Sequence, residues 1–205
     1  MGRILGVLCA LFVLSTCGSP NKVAPRNMDN ACSIISERAG FLRAFERAEK
    51  RWGVPVAVQM ATIYQESKFI SNAKTPRRMV LGFIPGKRVS SAKGYSQALD
   101  GTWDDYRQAT GNRLASRTSI NDAADFMGWY MDGTKRTLGI PTSDARRQYL
   151  AYHEGRGGYR KGTYKNKSWL MRVAADVEAR AIIYDRPPIR AQIIFNPPIT
   201  DVKIN

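Results

Sequence analysis

Glu66 is the residue in this sequence best suited to moving a proton. It sits near the end of an apolar stretch, in the order Gln65-Glu66-Ser67-Lys68-Phe69. A carboxylic acid can act as a general acid near neutral pH only if its pKa is raised, and apolar surroundings raise it by disfavouring the charged form. Tyr64 and Phe69 flank it and could supply such surroundings. Two further segments, Gly94-Tyr95-Ser96-Gln97 and Ala151-Tyr152-His153-Glu154-Gly155, carry groups suited to holding a substrate. Gln97 brings an amide that both donates and accepts. Tyr152 brings a hydroxyl on a large apolar ring. His153 is the sole histidine, and Glu154 is a second carboxylate. Glu154 has two readings. It either holds a water or a cationic intermediate near Glu66, or it pairs on the surface with Arg156 or Lys161.

The elements that must position these groups are mostly helices. Phe41, Leu42, Phe45, Ala48 and Trp52 recur at three- and four-residue steps, and Gly53 stops the run. Pro55 opens a second helix, where its missing N–H costs nothing, and Glu66 falls at that helix's C-terminal end. Thr102-Trp103-Asp104-Asp105 has the form of a capping box and predicts a helix to Gly111. Asn121 is expected to cap the next, which runs to Gly139. Ser143 is expected to start another, which carries Tyr149 and Tyr152 and is ended by Gly155. The last runs from about Ser168 and is halted by Pro187-Pro188. Residues 71–93 differ: Arg77, Arg78, Lys87 and Arg88 surround a short apolar stretch, which reads as a basic loop or hairpin. The fold class is therefore mainly α, with one small β element between residues 71 and 98.

The N-terminus sets a location. Arg3 precedes an unbroken apolar run, Ile4 to Leu14. It is shorter than the roughly 20 residues a bilayer span needs, and fits the apolar core of a secretory signal. The run ends in Leu14-Ser15-Thr16-Cys17-Gly18, which is similar to a bacterial lipobox. On that reading residues 1–16 are a leader, residues 17–33 are a lipidated Cys17 with a polar tether, residues 34–186 are the domain, and residues 187–205 are a proline-containing tail. Gly18 after the lipid-bearing Cys17 points to the outer membrane, facing the periplasm. The chain carries 32 Lys and Arg against 17 Asp and Glu, a net charge of +15. Loss of Arg3 with the leader leaves +14. Such a field attracts polyanions. Export removes cytoplasmic nucleic acid as a partner, and no helix-turn-helix, stacking platform or basic repeat is evident. Cys32 is then the one thiol left, too few for an internal disulfide, and with His153 too few for a structural zinc site. No metal or cofactor is expected, and nothing calls for an obligate oligomer.

Taken together and in order, the three polar segments resemble those of the lytic transglycosylase and goose-type lysozyme superfamily. That family carries a Glu-Ser-x-Phe segment, a Gly-Leu-Met-Gln-like segment and an Ala-Tyr-Asn-Ala-Gly segment. The resemblance covers roughly residues 34–186. It implies a lysozyme-like helical domain with a glycan groove, no cofactor, and cleavage of the β-1,4 bond between N-acetylmuramic acid and N-acetylglucosamine in peptidoglycan. It further implies Glu66 as the single acid/base, with Ser67, Tyr95, Ser96, Gln97, Tyr152, His153 and Glu154 along the substrate. Tyr95 and Ser96 replace Leu and Met of the commoner version, and His153-Glu154 replaces Asn-Ala. The family often has a tyrosine in its last helix facing the acid. Tyr164 and Trp169 are the nearest candidates here, and Trp169 otherwise reads as a core residue at a helix start. Residues 71–93 read either as a flap over the groove, aimed at peptide-stem carboxylates or lipid phosphates, or as a solvated basic loop.

Two alternatives stay open on sequence alone. A lysozyme-type muramidase differs only in what attacks the intermediate. A non-catalytic peptidoglycan-binding lipoprotein would use the same groove as a lectin, but a lectin has no need of an acid like Glu66.

Overall fold

The computed structural model describes residues 20–80 and 84–186. The expected leader, Cys17 and the expected tail lie outside them. Seven helices follow one another: α1 (Ala31–Glu37), α2 (Phe41–Trp52), α3 (Val56–Ser67), α4 (Asp100–Thr110), α5 (Ile120–Leu138), α6 (Ala145–Lys161) and α7 (Ser168–Tyr184). Between α3 and α4 stands one antiparallel hairpin, β1 (Arg77–Val80) and β2 (Ile84–Arg88). The mainly α architecture with a small β element is as the sequence predicts.

The centre is α3. Seven successive residues, Ala57 to Ile63, are buried, so this helix is packed on nearly every side. A helix apolar all round belongs inside a protein, not on its surface. Gln59 and Thr62 are the polar exceptions: the Gln59 amide donates to the carbonyls of Phe45 at 3.1 Å and Val54 at 2.8 Å, and the Thr62 hydroxyl to Val58 O at 2.9 Å. Around α3 lie α6 and, contributing Phe41, Phe45, Met127, Met131, Leu170 and Tyr184, the helices α2, α5 and α7. These large side chains have no exposed surface. Truncating any one to Ala costs roughly 2–5 kcal/mol. Among the described residues this cluster, with its flanking side chains, draws on residues 28–184.

The helices α2 and α5 approach closely because Gly128 has no side chain. A Cβ there would lie 2.5 Å from the Trp52 ring. Asp125 then ties three helices together: it accepts from Trp52 Nε1 at 2.8 Å, from Arg51 at 3.0 Å and from the Tyr106 hydroxyl at 2.8 Å. A second, aromatic cluster of Trp103, Tyr106, Phe126, Trp129, Tyr130 and Tyr152 fills the space between α4, α5 and α6.

Several predicted boundaries shift. The helix α4 starts at Asp100, two residues before the capping-box Thr102, and places that acid in its first turn where the helix dipole favours it. The caps of α5 and α6 are Ser119 and Asp144, whose side chains accept from Asp122 N and Arg147 N, and not Asn121 and Ser143. Gly155 breaks the helix where the sequence predicts, adopting φ 73 and ψ 157, a conformation open only to glycine, and a second helical stretch then runs on to Lys161.

Candidate active site

Glu66 occupies the last turn of α3, and the chain then turns sharply. Lys68 (φ 52) and Phe69 (φ 61) are both left-handed without being glycine. A third such residue is Gln97 (φ 49). These are the described non-glycine residues with positive φ, and all three flank the predicted site. Strain of this kind costs about 1–3 kcal/mol each and persists where the surroundings over-determine it. Phe69 shows what does so: it is fully buried against Phe41, ring centroids 6.2 Å apart.

The carboxyl of Glu66 accepts a hydrogen bond from the Tyr149 hydroxyl on α6. Burial pushes its pKa up to about 7, and the Tyr149 bond and the charge of Lys68 hold that rise in check. The C-terminal end of α3 adds its negative dipole, which also disfavours a carboxylate. The acid is thus poised near neutrality, as a group that gives and later takes a proton must be. Of the two flanking rings, Tyr64 lies against the cations of Lys68 and Arg180, each 3.6 Å from its ring.

Tyr149 escaped the sequence reading, which had sought the acid's tyrosine in the last helix. The available signal was spacing: Tyr149 and Tyr152 are three apart on one helix and therefore share a face. Tyr152 feels the charge of Glu66, and its burial pushes its own pKa up. Its hydroxyl donates to the carbonyl of Ser96 at 2.6 Å, which joins the third predicted segment to the second. Trp169 is neither a core residue nor the acid's partner. It is 48% exposed, its ring edge-on to His153 at 5.3 Å.

The second segment is a tight loop. Gly94 has φ 78, and a Cβ on it would run into the carbonyl of Arg117. Tyr95 N donates to that same carbonyl at 3.2 Å. Gln97 donates from Nε2 to Gly94 O at 2.8 Å and to Ala73 O at 3.1 Å. Both amide hydrogens are therefore spent within the loop, and what the side chain can offer a ligand is its carbonyl oxygen.

A cleft of about 230 Å³ opens here, lined among others by Gln97, Leu99, Phe126, Tyr130, Tyr152 and His153. Larger hollows of about 580 and 540 Å³ run along the outer side of α2. They are lined by charged side chains of α2, with Asn112, Asn121, Asp122 and Asp125 beside the second, and by none of the predicted site residues.

Of the eight predicted site residues, Gln97, Tyr152, His153 and Glu154 line this cleft, and Glu66, which is not among the lining residues, lies close enough to Tyr152 for its charge to be felt there. The structure turns the side chains of the other three inward. Ser67 donates to Ile63 O at 3.2 Å, Tyr95 packs edge-on against Phe41 at 5.7 Å, and Ser96 has no exposed surface. The substitution of Tyr for Leu at position 95 is thus a core exchange, apolar body for apolar body.

Glu154 resolves in favour of pairing, with a partner other than Arg156 or Lys161. Lys167 Nζ lies 2.7 and 2.9 Å from its two oxygens, Thr163 donates to it, and His153 Nδ1 is at 3.1 Å. Its side chain is 4% exposed. Desolvation alone would raise its pKa. The Lys167, Thr163 and His153 contacts outweigh that and hold it down at about 2. Arg156 instead donates to Tyr130 O at 2.8 Å.

The sequence matches the transglycosylase SLT domain family over residues 5–187. The chain belongs to that family. No curated protein matches it. For an SLT domain the geometry has a plain sense: an acid with raised pKa, a tyrosine on its carboxyl, and, close enough to feel its charge, Tyr152, which lines an apolar-walled cleft. Membership supports a lytic-transglycosylase-type function acting on peptidoglycan, as the three motifs led one to expect.

Proposed function

We propose that this protein is a peptidoglycan lytic transglycosylase with Glu66 as its one acid/base. Protonated Glu66 gives its proton to the glycosidic oxygen between N-acetylmuramic acid and N-acetylglucosamine, and the C1–O bond breaks. The N-acetyl carbonyl of the muramic acid shares the positive charge left on C1. Glu66, now a carboxylate, takes the proton from the 6-hydroxyl of the same sugar, and O6 closes onto C1. The product ends in a 1,6-anhydro ring, and the acid is reprotonated without a net water consumed.

The observation that carries this reading is the contrast between the two carboxyl groups. Environments that push paired acids apart assign their roles. Glu66 is raised to about 7 and can protonate a leaving group. Glu154 is held at about 2, ionised and tied to Lys167 and Thr163. A muramidase with a second catalytic carboxylate would need that group free for water or for the sugar. Glu154 is instead committed to its neighbours, which supports the single-acid route over hydrolysis.

Gln97 Oε1 and Tyr152 are proposed to orient the sugars beside Glu66, with His153 and Trp169 forming the outer wall. The lipobox-like segment supports a lipid anchor on Cys17 in the bacterial envelope, at the outer membrane facing the periplasm. The test is digestion of purified sacculi by the chain lacking residues 1–18 and by its Glu66→Gln variant, with released muropeptides read by mass spectrometry. Anhydro-ended products from the unmodified chain alone support the proposal. Reducing ends replace it with a muramidase, and binding without products replaces it with a wall-binding module.

A further inference from the structure

Between Glu66 and Asp100 the sequence holds seven basic residues and no acidic one. Six of them, Lys74, Arg77, Arg78, Lys87, Arg88 and Lys93, fall on the β1–β2 hairpin and its base. The register sets like charges against each other: Arg77 pairs with Arg88, and Lys74 bridges to Lys93. Like charges directly opposite on paired strands destabilise a sheet. None of the six makes an ion pair among the described residues. Arg77 and Arg88 reach backbone carbonyls, at 3.3 and 2.6 Å. Beside them Met79 is 56% exposed and Val89 57%. The hairpin supplies no lining residue of the cleft, so it is not a described wall of the glycan site.

We propose that this hairpin is a docking element for an anionic phospholipid surface. Headgroup phosphates between the facing cations would remove the cross-strand repulsion, and the exposed Met79 and Val89 would meet the apolar edge of the headgroup layer. Peptide-stem carboxylates would answer the charge but not the apolar side chains. The contact would orient the cleft relative to the membrane, a different matter from tethering by lipid on Cys17.

The test separates the hairpin from the general positive charge. The chain lacking residues 1–18 is sedimented with phosphatidylcholine vesicles, with and without about one-third phosphatidylglycerol. The double variant Arg78→Gln/Lys87→Gln is compared with Arg43→Gln/Lys50→Gln on α2. Both remove two exposed cations, and thermal melts check that both fold. Each basic residue at an anionic surface contributes about fivefold in partitioning, so the hairpin pair should weaken binding by roughly twentyfold and the α2 pair by less than about threefold. Binding should require phosphatidylglycerol and fade as salt is raised. Equal losses in the two variants, or no binding of the parent, would overturn the proposal. So would a hairpin variant that keeps vesicle binding but fails on soluble glycan fragments, which would assign the hairpin to peptide stems.

Discussion

The Tyr149 hydroxyl on α6 donates to the Glu66 carboxyl on α3, and this one bond joins the helix that carries the acid to the helix that carries Tyr152. It also sets a balance. Burial favours the protonated acid, whereas a donor favours the carboxylate. An acid that must first release a proton and then recover one works best between those pulls.

Turnover should therefore fall on the alkaline side as Glu66 loses its proton near pH 7. A profile of kcat/KM for anhydro-muropeptide release should show that limb. The same raised pKa has a stability consequence of known sign. Below about pH 4.5 Glu66 is protonated in both folded and unfolded chains. Between there and about 7 the unfolded chain loses the proton first, so the folded state is progressively penalised as pH rises. Above 7 the penalty is constant, at roughly 3 kcal/mol. Glu66→Gln should abolish turnover yet raise the melting temperature at pH 8 while leaving it nearly unchanged at pH 4. A variant less stable at both pH values would show that the acid is not held at a cost.

Tyr149→Phe removes the donor and keeps the ring. The acid's pKa should move further up and the alkaline limb with it, while the rate falls about tenfold as the carboxylate loses the bond that steadies it. Measuring the limb distinguishes this from loss of folding, which would lower the whole profile without moving it.

What was legible in the sequence follows the range of the forces involved. The Glu66 site was readable because an apolar helix ending in an acid is a local pattern. Its partner Tyr149 was not, since the contact is made across two helices with more than eighty residues between them. Tyr95 is expected along the substrate only through the motif it shares with the family, whereas its ring packs edge-on against Phe41 in the core, a long-range contact that the motif does not encode. Gly155 reads as a helix stop by its residue type and does break the helix, but the second helical stretch that follows it to Lys161 has no local signal in that glycine-rich, basic segment. The basic hairpin was visible as composition, but its facing like charges appear only once the register is known.

Gly94→Ala tests whether that turn sets the loop. A side chain must adopt φ 78 there and also displaces the Arg117 carbonyl. A loss of about 2–3 kcal/mol in chemical denaturation is expected. Binding of glycan fragments should weaken as well, because the Gln97 amide donates to Gly94 O. Wild-type stability in this variant would mean that the loop can move freely.

Glu154→Gln decides between the structural and chemical roles of the second carboxylate. Losing the charge leaves Lys167 without its partner, and stability should fall by about 1–3 kcal/mol at neutral pH. The sign with pH is opposite to that of Glu66. A depressed pKa contributes stability above about 4.5 that is lost as pH falls towards 2, so variant and parent should converge in acid. The ratio of anhydro to reducing ends should stay unchanged, because the carboxylate is already occupied by Lys167, Thr163 and His153. A shifted ratio would mean that Glu154 leaves those partners during turnover and meets the intermediate, and the single-acid mechanism would then have to be given up.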